Sequence, residues 1–166
     1  MVGLAIGRPQ DHGRRASLHA HNVVPFSPTF AKPYHALREA TVYVDARLDW
    51  INTGIRVSKG QTVVFRCEGA WTASPLNERE RWPDAGPEGH GHHPGEMVHR
   101  AGDSRKELPG APFVALLGMV DLKVFPIGSQ GKVVMPADGA LYLVINDYPF
   151  YRHDNRGGLT VSISKE

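Results

Sequence analysis

From residue 41 onward, apolar and polar positions alternate. Val42, Val44, Ala46 and Leu48 are interleaved with Tyr43, Asp45, Arg47 and Asp49, the period-two pattern of a strand with one buried face. Ile55-Arg-Val57 leads into Ser58-Lys-Gly60, a tight-turn signal because glycine tolerates positive φ. Thr62-Val-Val-Phe-Arg-Cys67 is a second alternating segment and runs on to Trp71. Strand character returns at 114–120, 122–125 and 132–135, with turn signals at Gly128-Ser-Gln-Gly131 and Pro136-Ala-Asp-Gly139. Leu141-Tyr-Leu-Val-Ile145 is apolar on both faces, as a central strand is. Leu159, Val161 and Ile163 then alternate with Thr160, Ser162 and Ser164, giving a last strand with one wet face.

Short strands at this spacing, with no sustained helical period, predict an all-β chain folded as an antiparallel sandwich or barrel. Two stretches do not fit. Residues 1–39 carry scattered Pro, Gly and His, with a short helical pattern near Ala31 to Ala40 limited by Pro33. We read them as an N-terminal arm, packed or partly disordered, ahead of a domain over residues 40–166. Residues 72–112 are polar and rich in proline, glycine and histidine, which predicts an ordered surface excursion; a loop of that length in a compact domain is usually functional or disordered.

Composition narrows the function classes. The 166 residues suit one core. Lys plus Arg number 19 and Asp plus Glu 17, for a formal net charge of +2, which leaves no clustered basic footprint for nucleic acid. No run approaches the ~18 apolar residues that cross a bilayer, so no membrane insertion is expected. Residues 1–11 hold a short apolar segment without a preceding basic residue, which predicts cytoplasmic folding, with release or action at a cell surface only by a route other than a conventional signal peptide. The single cysteine, Cys67, sits in an alternating segment and reads as an inert core thiol rather than a nucleophile.

The chemistry concentrates in residues 147–158, Asp-Tyr-Pro-Phe-Tyr-Arg-His-Asp-Asn-Arg-Gly-Gly. Calcium takes about six to eight oxygens from carboxylates, amides and main-chain carbonyls. Asp147 stands at a predicted strand end, Tyr151 offers a carbonyl, and Asp154 with Asn155 adds side-chain oxygens. Pro149 restricts the turn, while Gly157 and Gly158 let the chain swing into the last strand. The competing reading is an ordinary acidic turn, since Asp and Asn bond their own backbone. The spaced acids and terminal glutamate of an EF-hand are missing.

The run Asn146-Asp-Tyr-Pro-Phe-Tyr-Arg-His-Asp-Asn-Arg-Gly157 resembles the pattern Asn-Asp-x-Pro-x-x-x-x-Asn-Asn-x-Gly of the LecA-like, or PA-I galactophilic, calcium-dependent bacterial lectins. Asp154 replaces the first paired asparagine. The resemblance implies a jelly-roll-like β-sandwich of galactose-binding-domain type. It also implies a calcium ion held by Asp147, Asp154, Asn155 and the Tyr151 carbonyl. Ala70-Trp71-Thr-Ala-Ser74 resembles the family's Gly-Trp-Ala-Ser strand end, which makes Ser74 a further carbonyl ligand. Sugar hydroxyls complete the shell, so Asp147, Tyr151, Asp154 and Asn155 serve sugar as well. Trp82, Gly86-Pro-Glu-Gly89 and His93-Pro-Gly-Glu96 resemble the family's Trp-Gly-Pro-Gln-Gly and His-Pro-x-Gln, implying that His93 and Glu96 reach a remote hydroxyl. Glu in place of Gln removes a donor and shifts sugar preference. The resemblance spans roughly residues 40–166 and is most specific at 146–157.

Other sites compete. His90, His92, His93 and His99 could bind zinc, but their spacing matches no structural-zinc pattern. Trp71 reads as core; Trp82 either anchors the excursion or lines the site. Tyr148 and Phe150 flank Pro149 as an apolar wall or as pins for the loop. Gly128-Ser-Gln-Gly131-Lys132 lacks the spacer and Ser/Thr of a phosphate loop. The combined expectation is a lectin, not an enzyme, that binds terminal galactose or a related glycan through calcium, as a homo-oligomeric dimer or tetramer. The alternatives are a structural or interaction sandwich that binds calcium but no sugar, or a glycoside hydrolase using Asp147 with Asp154.

Overall fold

The computed structural model describes residues 38–73, 83–91, 103–129 and 131–166. The expected arm lies outside them except for Arg38 and Glu39, and Glu39 already belongs to the first strand. Eight strands follow: β1 (Glu39–Asp45), β2 (Ile51–Val57), β3 (Thr62–Thr72), β4 (Leu116–Val120), β5 (Lys123–Pro126), β6 (Lys132–Val134), β7 (Gly139–Ile145) and β8 (Arg156–Lys165). They form two antiparallel sheets, ordered β1-β8-β3-β6 and β2-β7-β4-β5. The first strand therefore pairs with the last, the second with the seventh, the third with the sixth and the fourth with the fifth. That nesting is the jelly-roll arrangement, which places two sheets face to face.

Alternation decides which face goes in. Val44, Val63, Phe65, Leu159, Val161 and Ile163 from one sheet meet Ile55, Leu116, Leu141, Leu143 and Ile145 from the other in one core. Each of these aliphatic or aromatic side chains contributes roughly 1.5–3 kcal/mol on burial. A one-residue slip of a strand would turn its whole set outward, so the register is strongly specified. β7 carries buried residues on both faces, because Val144 is buried beside its cross-strand partner Leu117, as its continuous apolar run predicts.

Some details differ from the pattern-based expectation. Leu48 is exposed in the corner after β1 rather than continuing the strand. Asp45 ends the regular pairing there, accepting from the Arg47 main chain and guanidinium. Val114 precedes β4 instead of opening it, with φ +53°. Leu122 belongs to the turn between β4 and β5. Cys67 is half-buried rather than fully enclosed. Among the described residues, no helix is long and apolar enough to cross a membrane.

Jelly-roll connectivity sends the chain from sheet to sheet at the ends of the sandwich, and three of the crossings at one end make up the last loop and its frame. They are the corner 46–50 between β1 and β2, the long connection between β3 and β4, and the loop 146–155 between β7 and β8. Ala46 N donates to Gly157 O at 3.1 Å, while Trp71 pairs with Gly157 across β3 and β8. Gly157 has φ +81°, and a Cβ there would collide with the Ala70 carbonyl. Only glycine lets the loop enter β8 this close to β3.

Candidate functional site

β7 delivers Asn146 and Asp147 to the end of the sandwich, both buried. A type of turn suited to Pro149 at its second position follows, closed by Tyr151 N donating to Tyr148 O at 2.9 Å. A single 3-10 turn, Arg152–Asp154, then leads to Asn155, whose extended backbone starts the return into β8. The Tyr151 carbonyl accepts from Asp154 N at 3.3 Å, and the Arg152 carbonyl accepts from Asn155 N at 3.0 Å.

Asp147 is 3% exposed. Its Oδ1 accepts from Tyr148 N at 2.6 Å and its Oδ2 from Asn155 Nδ2 at 2.8 Å. The same Asn155 nitrogen donates to Ala46 O at 3.0 Å. Asn155 thus spans the loop, the β1–β2 corner and the buried carboxylate, and its amide oxygen is the end that a hard cation uses. Burial pushes the Asp147 carboxyl above its ordinary range. The bonds from Asn155 and Tyr148 and the charge of Arg152 oppose that rise, and nearby Asp154 adds to it. A desolvated carboxylate near a second carboxylate is an environment that a cation relieves.

Sequence reasoning brought Asp147, Tyr151, Asp154 and Asn155 to one loop, and the fold keeps them on one short turn. Tyr148 is half-buried, its ring 6.0 Å from Phe113 and 6.3 Å from Tyr151 in an edge-on arrangement, so it pins the loop. Phe150 is 90% exposed and is the apolar surface at this rim. Ser74, Trp82, His93 and Glu96 lie outside the described residues, as do His92 and His99. His90 is described, and its Nε2 pairs with Pro83 O at 3.1 Å. Trp71 is buried and donates from Nε1 to Val114 O at 2.8 Å, in keeping with a core role.

Three residues important to this geometry, Asn146, Arg152 and Val114, carried no sequence signal of their part in it. Asn146 is fully buried and its amide accepts from Leu108 N and donates to the carbonyls of Leu108, Ala111 and Pro112. Arg152 is buried in the loop and pairs with Asp49 and Glu107. Asn146 was visible within the matched run, yet nothing in one dimension indicates partners more than 30 residues away. Val114, held between Asn146 O and Trp71 Nε1, has a left-handed φ that costs a β-branched residue about 1–3 kcal/mol.

Among the described residues, no three His, Cys, Asp or Glu side chains gather as a metal cluster. The loop 147–155 itself carries two carboxylates, an amide oxygen and a main-chain carbonyl, and oxygen donors of this kind suit a hard cation better than zinc.

Jelly-roll sandwiches serve lectin, capsid and cupin domains alike, so the architecture by itself fixes the fold and not the role. Among solved structures, the EclA N-terminal domain, a PllA-like lectin, is similar with a TM-score of 0.56; the match covers 76% of this chain and 96% of that domain at 20% identity. At that identity the likeness is one of fold. No family model matches the chain, and no curated protein does.

Proposed function

We propose that the protein is a calcium-dependent lectin of the LecA-like kind, binding a terminal galactose or related sugar without chemical turnover. The observation that carries this reading is the buried Asp147 carboxylate, oriented by Asn155 and Tyr148 beside Asp154 in an all-oxygen turn. Asp147, Asp154, Asn155 and the Tyr151 carbonyl would hold the ion, joined by the Ser74 carbonyl. Bound calcium supplies Lewis-acid coordination for two adjacent sugar hydroxyls. The chain's own part is to orient the same hydroxyls. Asp147 and Asp154 accept from them, the Asn155 amide fixes their direction, and Phe150 with Tyr151 offers apolar surface to a sugar face. His93 and Glu96 are proposed to select at a remote hydroxyl, with Glu96 favouring ligands that present a donor.

Calorimetric titration of Asp147→Asn tests the ligand assignment. Removing one charged ligand should weaken calcium binding on the order of 100-fold and weaken galactose binding with it, while the calcium-free protein melts near wild type because a desolvated charge has been removed. Normal sugar binding by metal-free Asp147→Asn protein would show the assignment to be wrong.

A further inference from the structure

Arg152 lies in the middle of the site loop, yet its side chain turns inward and is 2% exposed. Arginine is rarely buried unless paired. Nη1 donates to Asp49 Oδ1 at 2.8 Å, and Nη2 donates to Glu107 Oε1. Asp49 belongs to the β1–β2 corner and Glu107 to the connection between β3 and β4. One guanidinium fork therefore ties together three of the crossovers at this end of the sandwich. Nε is buried with no hydrogen-bond partner among the described residues. The side chain's placement is thus set by its two carboxylates rather than by satisfaction of all its donors.

The two arms are unequal. The Asp49 side chain is 78% exposed and that of Glu107 17%, so solvent screens the first pair far more than the second. Two carboxylates against one guanidinium also leave the cluster net negative, so a buried cation does not turn the loop into a repulsive environment for a second one. A second tether reaches the same segment as Glu107: the Asn146 amide bonds to Leu108, Ala111 and Pro112. Loss of the Glu107 charge should therefore loosen residues 103–113 without unfolding them.

We propose that Arg152 is the positioning residue of this site. It holds the turn Arg152–Asp154, and with it Tyr151, Asp154 and Asn155, in place before any ligand arrives, and it makes residues 103–113 move as one unit with residues 147–155. What the loop holds rests on the calcium reading above; the clamp itself does not. Pre-ordering ligands removes an ordering cost from the binding step. Lysine, a point charge without a fork, lacks the two separated nitrogens that reach Asp49 and Glu107 here.

The test compares wild type, Glu107→Gln and Arg152→Lys by hydrogen exchange without calcium, by melting temperature and by calcium titration. In both variants exchange should quicken about tenfold in 103–113 and in 147–155 together, with melting within about 3 °C of wild type. The calcium Kd should weaken by a similar factor. Unchanged exchange in 147–155, or a lowered melting temperature with an unaltered calcium Kd, would reduce Arg152 to an ordinary structural ion pair and overturn the proposal. If wild type binds no calcium, the proposed function fails, and the joint exchange of the two segments in calcium-free protein still decides the clamp.

Discussion

Among the described residues, burial raises the pKa of Asp147 and of Cys67, and their surroundings give them different fates. Asp147 has donors on both oxygens and further oxygens close by. For Cys67, burial pushes the thiol up to about 11 from 9.0, and the charge of Glu88 adds to the rise. A thiol with that pKa is almost wholly protonated at pH 8, so its reaction with a thiol reagent should be roughly 100-fold slower in the native protein than in the unfolded chain. The sign of its linkage follows. The folded pKa lies above the unfolded one, so the contribution to stability is complete below pH 9 and is lost as pH rises toward 11. Cys67→Ser should flatten the fall in melting temperature over that window; an identical fall in both proteins would contradict it. Asp147 stood out in the sequence as an acid at a predicted strand end, followed by Pro149 and by Asp154-Asn155. Arg152 did not, because a charged residue in a loop ordinarily reads as solvated, and its partners lie 103 and 45 positions away.

At the scale of elements, the strands were legible wherever one face is buried, because burial imposes period two; β1, β3, β7 and β8 all followed from it. The two strands of the β4–β5 hairpin were legible as well, but its turn was not. Its two-residue turn is Asp121-Leu122, with φ +50° and +59°, the pair of left-handed conformations that usually calls for Asn-Gly or Asp-Gly. Leucine at the second position hides the turn from a reading that looks for glycine, and it stands 87% exposed. Left-handed backbone costs such a residue about 1–2 kcal/mol, partly offset in a glycine variant by greater unfolded-chain freedom. Leu122→Gly should therefore stabilise the protein by about 0.5–1 kcal/mol, read as a higher urea midpoint with unchanged slope. Val114 escaped for a related reason: its apolar neighbours continue the strand pattern, but hydrogen bonds to Asn146 and Trp71 hold it outside β4.

For the whole molecule, the jelly-roll nesting matters because it gathers crossovers from distant parts of the chain at one end. The loop 146–155, the corner 46–50 and the β3–β4 connection become one surface only after both sheets have formed. No periodicity could have joined them; in the sequence only the resemblance, at 146–157 and in the stretch from Ala70 to Glu96, linked the last loop with the β3–β4 connection. In the proposed function each such surface binds sugar weakly, and copies on a homo-oligomer raise avidity through effective concentration. The most direct measurement is binding of the full chain to a galactose-bearing surface and a wider glycan panel, in calcium, after chelation, and after calcium is restored. Binding should appear with calcium, vanish on chelation and return with the ion. Binding that survives chelation unchanged would contradict a metal-bridged site, and calcium-dependent stabilisation without binding to any glycan would instead make this a structural sandwich.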